Sequence, residues 1–135
     1  PYQAFRAADD YFIIAAGNDA LWREVTEAVG KPELFADRRF KMQSDRARNQ
    51  TTLTQILEPE FKKRTAAEWL AEMDRRGVPC SPINSYPEVF ADPHVQARGG
   101  VVAQAGLRVI RPPFLGAYPT LSPPPSLGQH NEELL

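Results

Sequence analysis

The chain has 135 residues, 42% of them hydrophobic and 24% charged, with 16 Lys+Arg against 17 Asp+Glu. That length supports one modest core, and that mixture excludes wholesale disorder. A formal charge of -1 provides no field for gripping nucleic-acid phosphates, and no apolar run approaches the roughly 18 residues that cross a bilayer.

The opening runs Tyr2–Ala7 and Tyr11–Ala16 are rich in aromatic and β-branched residues around Ala8-Asp9-Asp10, which predicts a hairpin. Gly17-Asn18-Asp19 then supplies a break and an N-cap for a helix whose buried face carries Leu21, Trp22, Val25, Ala28 and Val29. Gly30 ends that helix and Pro32 prevents its continuation. After a connector holding Phe35 and Phe40, Ser44 is expected to cap a second helix reaching about Lys63, with Leu53, Ile56, Leu57 and Phe61 inward. Pro59 predicts a kink or break near Leu57. Thr65 and Glu68 form a capping box for a third helix bearing Trp69, Leu70 and Met73, stopped by Gly77.

Ten of the thirteen prolines fall between Pro79 and Pro125, so the rest of the chain is extended or finely interrupted. Val78–Ile83 reads as extended, Ser85 with Glu88 and Asp92 with Pro93 start two short helices, and Gly99-Gly100 ends them. Val101–Ala103 and Leu107–Ile110 are expected to be strands that join the opening hairpin. From Pro112 a stiff proline-rich strap follows, leading to a helix onset capped by Asn131. The expected fold class is α+β: a small antiparallel sheet packed with several helices over residues 1–111, then a proline-rich extended linker and a helix start over 112–135. A start at Pro1 and an end within a turn of a helix onset read as a piece of a longer protein.

Chemistry is sparse. There is no glycine-rich phosphate loop, no Cys/His zinc spacing and no Gly-x-Ser-x-Gly elbow. His94 and His130 are separated by the prolines, so no metal site is expected. The lone Cys80 allows no internal disulfide, which suits a cytoplasmic protein, and its Val-Pro and Ser-Pro flanks read as a packed, inert strand. The seven aspartates sit in turns, at helix starts or beside arginines. Arg38-Arg39, Lys62-Lys63-Arg64 and Arg75-Arg76 offer either phosphate contacts or solvated charge. Trp22 and Trp69 read as core, and Pro123-Pro124-Pro125 as a strap or a ligand for an aromatic groove. Taken alone, these residues identify no active site.

The order of signals carries more. Tyr11 to Ala16 with Asn18 and Trp22 is followed by the Arg46-x-x-Asn49 region and Arg64-Thr65-Ala66-Ala67-Glu68-Trp69. Gly77-Val78-Pro79-Cys80-Ser81-Pro82-Ile83-Asn84, Ala91-Asp92-Pro93-His94-Val95 and Pro124-Pro125-Ser126-Leu127-Gly128-Gln129-His130 complete the series. Over nearly the whole chain this resembles the C-terminal part of the family III (CaiB/BaiF-type) CoA-transferases. The resemblance implies that residues 1–111 are the small domain of a larger enzyme and 112–135 the linker returning to its large domain. It further implies coenzyme A thioester as substrate, no tightly bound cofactor, a carboxylic acid acceptor and an interlocked homodimer.

In that family an aspartate of the large domain attacks the thioester, and it lies before the point matching Pro1. No catalytic residue is therefore carried onto this chain, and which of its residues touch CoA is left open. Pro59, and Gln129 where relatives commonly have an acid, depart from the family pattern. The isolated chain is expected to be folded and inactive. The alternatives are an α-methylacyl-CoA racemase-like member of the superfamily and a noncatalytic interaction module using the proline strap.

Overall fold

The computed structural model describes residues 1–104, 106–111 and 124–134, and for 104 and 107 the backbone only. The expected strap over 112–123 and the turn residue Ala105 lie outside the described residues. The fold is α+β, in two compact units, Pro1–Ile83 and Asn84–Leu135.

In the first unit, strands β1 (Tyr2–Arg6) and β2 (Tyr11–Ala15) form the expected antiparallel hairpin, with Phe5 opposite Phe12 and Tyr2 opposite Ala15. Alternation along the strands sends Phe5, Phe12 and Ile14 inward, each 0% exposed. Helix α1 (Asp19–Ala28) starts where Asn18 Oδ1 accepts from Leu21 N at 2.9 Å, and buries Trp22, Val25 and Thr26. At its end Gly30 adopts φ 70° and Lys31 N donates to the Thr26 carbonyl, closing a left-handed cap that a side chain would strain. A short 3-10 turn, Pro32–Phe35, follows.

The single helix expected from Ser44 is two: α2 (Gln43–Arg48) and α3 (Gln50–Phe61). The break falls at Asn49, not near Leu57. Asn49 leaves the helical region with φ -102° and ψ 24°, and its side-chain amide donates to the carbonyls of Asp45 and Arg39. That side-chain competition for backbone acceptors ends α2. Pro59 lies inside α3, so near its C-terminus that only Glu60 and Phe61 follow, and the missing N–H ends no helix. Nor does Ser44 cap α2; the cap position is Met42, whose N–H donates to Asp45 Oδ2 at 3.3 Å.

Helix α4 (Ala66–Arg75) begins with the expected capping box: Thr65 Oγ1 accepts from Glu68 N, and Glu68 Oε2 accepts from Thr65 N at 2.8 Å. Gly77, φ 68°, ends it. The chain then returns directly as β3 (Cys80–Pro82), antiparallel to β2 with Ile14 opposite Cys80. The third strand of the sheet is therefore this segment and not Val101–Ile110. A strand delivered by the helix already packed on the sheet needs a far shorter connection than one from beyond residue 100. Its prolines are tolerable because β3 is an edge.

The core closes around Phe61. Its ring stands 4.9 Å from Phe5, 5.2 Å edge-on from Phe12 and 5.1 Å edge-on from Trp69. The Trp69 indole N–H is satisfied at 2.7 Å by the Phe61 carbonyl. The hairpin turn also fastens α4: Ala66 N donates to Asp9 Oδ1 at 2.8 Å and Ala8 N to the Arg64 carbonyl at 2.9 Å.

The second unit contains α5 (Tyr86–Ala91), α6 (Pro93–Ala97), the hairpin β4 (Val101–Gln104) with β5 (Leu107–Ile110), and one turn of helix, α7 (Asn131–Leu134). Its starts are local, as expected: Glu88 accepts from Ser85 N, and Asp92 Oδ1 accepts from His94 N and Val95 N. At α7 the cap position falls on His130, whose carbonyl accepts from Glu133 and Leu134, rather than on Asn131. Gly100 N bonds the Val95 carbonyl at 2.8 Å, and a Cβ there would press on Val95 at 2.9 Å. No described residue of this unit is buried.

Candidate functional site

A chemically competent site needs groups that are close, accessible and not already neutralised. Most ionisable side chains of the chain fail the last condition. Arg39 holds Asp37 through two nitrogens, Lys62 pairs with Glu58 and Lys63 with Glu60. Arg64 lies 4.8 Å over the Trp69 ring. Arg75 and Arg76 both engage buried Glu72, and Arg76 reaches Glu24 and Glu27 as well. Of the basic runs read as either phosphate contacts or solvated charge, only exposed Arg38 stands outside these pairings.

The carboxylates are similarly occupied. The Ala66 N–H, above all, holds Asp9 below the usual carboxylate range. Arg39 does the same for Asp37, Lys63 for Glu60, and the Thr65 and Ser85 caps for Glu68 and Glu88. These are ionised structural ligands, not poised acids or bases. Cys80 is half-buried with Sγ 3.6 Å from the Leu70 carbonyl, and burial, then Asp74, pushes its thiol up. A raised thiol carries little thiolate at neutral pH and makes a poor nucleophile. Trp22 and Trp69 are core, as expected, at 0% and 3% exposure. His94 and His130 are exposed, with His130 Nδ1 3.0 Å from Glu133. Among the described residues no three His, Cys, Asp or Glu side chains are grouped to hold a metal ion.

The most developed polar arrangement in the first unit centres on Arg46. Its side chain is 2% exposed although arginine is seldom fully buried. Nη1 donates at 3.0 Å to the carbonyls of both Phe40 and Lys41, and Nη2 donates at 2.8 Å to Asp19 Oδ1. The guanidinium lies 5.6 Å from the Trp22 ring. Nε is buried without an acceptor, and so is the Trp22 indole N–H. Arg46 lines a cavity of about 140 Å³ together with Pro1, Gln3, Gln43, Gln50 and Leu53. Beside it Gln50 donates to Gln3 at 2.5 Å and Gln3 to Thr54 at 2.7 Å. The side chains of this wall are donors and acceptors without a nucleophile or a general base among them, so they can fix chain or ligand and cannot make or break bonds.

Sequence reasoning met Arg46 only as part of an ordered motif. An arginine flanked by Asp45, Ala47 and Arg48 reads as exposed helix, and nothing local reveals that α1 and the 40–41 connector close over it. In the second unit a hollow of about 280 Å³ is lined by Phe90, Val95, Val101, Ala103 and Arg108, with Arg108 5.9 Å from the Phe90 ring. It too lacks a nucleophile.

Comparison with known proteins places this framework. The profile of CoA-transferase family III matches residues 1–131. Human succinyl-CoA:glutarate CoA-transferase is 33% identical over 143 residues, covering 100% of this chain and 33% of that protein. Acetyl-CoA:oxalate CoA-transferase of Acetobacter aceti is 35% identical over 107 residues, or 79% of this chain and 28% of that protein. A CaiB/BaiF family protein from Brucella suis superposes with TM-score 0.79 at 36% identity, covering 99% of this chain and 36% of its own. The crystal structure of Rv3272 from Mycobacterium tuberculosis gives 0.81 at 30% identity, over 100% of this chain and 38% of that one. The chain spans about a third of the length of the relatives it matches.

Proposed function

Because the chain belongs to the family III CoA-transferases, we propose that it is the small domain and return linker of a longer cytoplasmic enzyme that moves CoA from an acyl-CoA to a carboxylic acid. One observation carries this reading: the whole chain aligns with a CoA-transferase three times its length. The commitment of its described carboxylates and cations to caps and ion pairs supports placing the chemistry in the other two-thirds.

In the full-length enzyme an aspartate carboxylate attacks the acyl-CoA carbonyl, breaking the C–S bond, releasing CoA thiolate and forming a mixed anhydride. The thiolate attacks the aspartyl carbonyl of that anhydride and expels the first carboxylate, leaving an aspartyl-CoA thioester. The acceptor carboxylate attacks this thioester, and the freed thiolate then takes the acceptor acyl group, restoring the aspartate. Both anhydrides are destroyed by water. The role of the small domain is to close over the cleft and exclude it, and to supply contact within a homodimer.

The test uses full-length protein with succinyl-CoA or acetyl-CoA and dicarboxylic acid acceptors such as glutarate and oxalate, following the two named relatives, with acyl-CoA products identified by mass. Acceptor-dependent formation of a new acyl-CoA is expected from the full-length protein and none from residues 1–135 alone. Transfer by the 135-residue chain would overturn the reading. Exchange of an α-proton with solvent without any acceptor would favour racemisation instead.

A further inference from the structure

An antiparallel sheet with one face in water alternates apolar side chains inward and polar ones outward. Strands β1 and β2 depart from that pattern. Helix α3 lies against the face of Phe5, Phe12 and Ile14, where Phe61 meets both rings and Gln3 donates to Thr54; Trp69 of α4 backs Phe61 on the same side. The alternate positions point the other way, and five of them are Tyr2, Ala4, Tyr11, Ile13 and Ala15. The register sets Tyr2 beside Ala15 and Ala4 beside Ile13, which makes the surface continuous across both strands. Arg6 opposite Tyr11 is the one charge on it, and its guanidinium lies 4.9 Å over the Tyr11 ring. The face is nevertheless open, with Tyr2 78% and Tyr11 44% exposed.

We propose that this outer face is where the large domain docks, the part of the full-length polypeptide that lies outside these 135 residues. The proposal rests on the reading of the chain as the small domain of a longer enzyme. Length and area select that occupant over a second copy. The chain covers only 33% of the human relative and 36% of the Brucella suis protein, so a much larger body of polypeptide is there to supply a covering layer. With strands about 4.8 Å apart and about 3.4 Å per residue, three strands of up to five residues present about 240 Å². A second copy seated on it would bury about 500 Å² in all, where a stable interface between separate molecules takes at least about 1,000 Å². A covering layer joined by a linker meets no such threshold, because the linker holds it at an effective concentration of about millimolar. The sheet then becomes the middle of three layers, helices on one side and the large domain on the other.

The experiment uses the full-length protein. Tyr11→p-benzoylphenylalanine is irradiated and its cross-linked peptides are identified by mass, while Tyr2 and Tyr11 of the unsubstituted protein are labelled with hydroxyl radicals. The cross-link is expected on a peptide outside residues 1–135. Both tyrosines are expected to label about tenfold more slowly than in the urea-unfolded protein, as for side chains in the dry centre of an interface. A cross-link within residues 1–135, from a second copy or from the same chain, overturns the proposal. So does labelling within about twofold of the unfolded rate, the behaviour of side chains left in water. Where the substituted protein does not fold, the labelling decides alone. A cross-link outside these residues in a protein that transfers no CoA supports the docking and refutes the enzymatic reading, whereas transfer with both tyrosines open refutes the docking alone.

Discussion

Helices α4 and α6 start in nearly the same way, with a side-chain oxygen of Thr65 or Asp92 accepting from the first turn, yet they stand in opposite circumstances. Behind α4 lie Trp69 and Met73 against the Phe61 cluster, while α6 has no buried residue at all. Every buried hydrophobic residue among those described lies between Phe5 and Val78. Local signals are thus enough to shape a segment, but among the described residues only those of the first unit add the apolar burial that sets stability. The two units should accordingly respond very differently to equivalent substitutions.

The largest effect is expected at the centre of the first unit. Phe61→Ala removes a ring in contact with Phe5, Phe12 and Trp69 and should lower unfolding free energy by about 3–5 kcal/mol in urea denaturation. A loss near that of a surface change would mean the core is not organised there. The second effect is acid-induced and also confined to the first unit. In the 135-residue chain taken alone, burial lowers the Pro1 amine from 8.0 to about 6 on folding, so its contribution is complete above pH 8 and is lost as pH falls through 6. About 2–3 kcal/mol should disappear over that window, and acetylating the amine should abolish the slope.

Cap removal compares the units directly. Thr65→Ala should cost about 1 kcal/mol in the main unfolding transition. Asp92→Ala deletes an equivalent cap, yet it should leave that transition within about 0.5 kcal/mol while weakening helical NMR signals from Tyr86 to Ala97. Should the two substitutions shift the main transition equally, the second unit would share the core's cooperativity and the contrast drawn above would fail.

What the sequence discloses follows the same division. Caps and stops such as Asn18, Thr65 with Glu68, Asp92 with Pro93, Gly30 and Gly77 are readable because donor and acceptor lie within a few residues. The pairing of Cys80–Pro82 with β2 is not, since strand choice depends on where α4 leaves the chain. The break at Asn49 is hidden for the same reason: one of its two acceptors is the Arg39 carbonyl, ten residues away. Arg46 shows the limit most clearly, because its polarity argues for solvent and only tertiary closure by Asp19, Phe40 and Lys41 makes burial tolerable. The family was legible from the order of motifs, whereas no catalytic group was, since the polar side chains serve the architecture.

A proline at one margin of the three-stranded sheet has a further consequence. Strand β3 is short, and Pro82, on its open side, carries no amide hydrogen. A sister molecule or a half-folded chain arriving at that margin therefore finds an incomplete row of donors. The sheet is guarded on this side against edge-to-edge polymerisation.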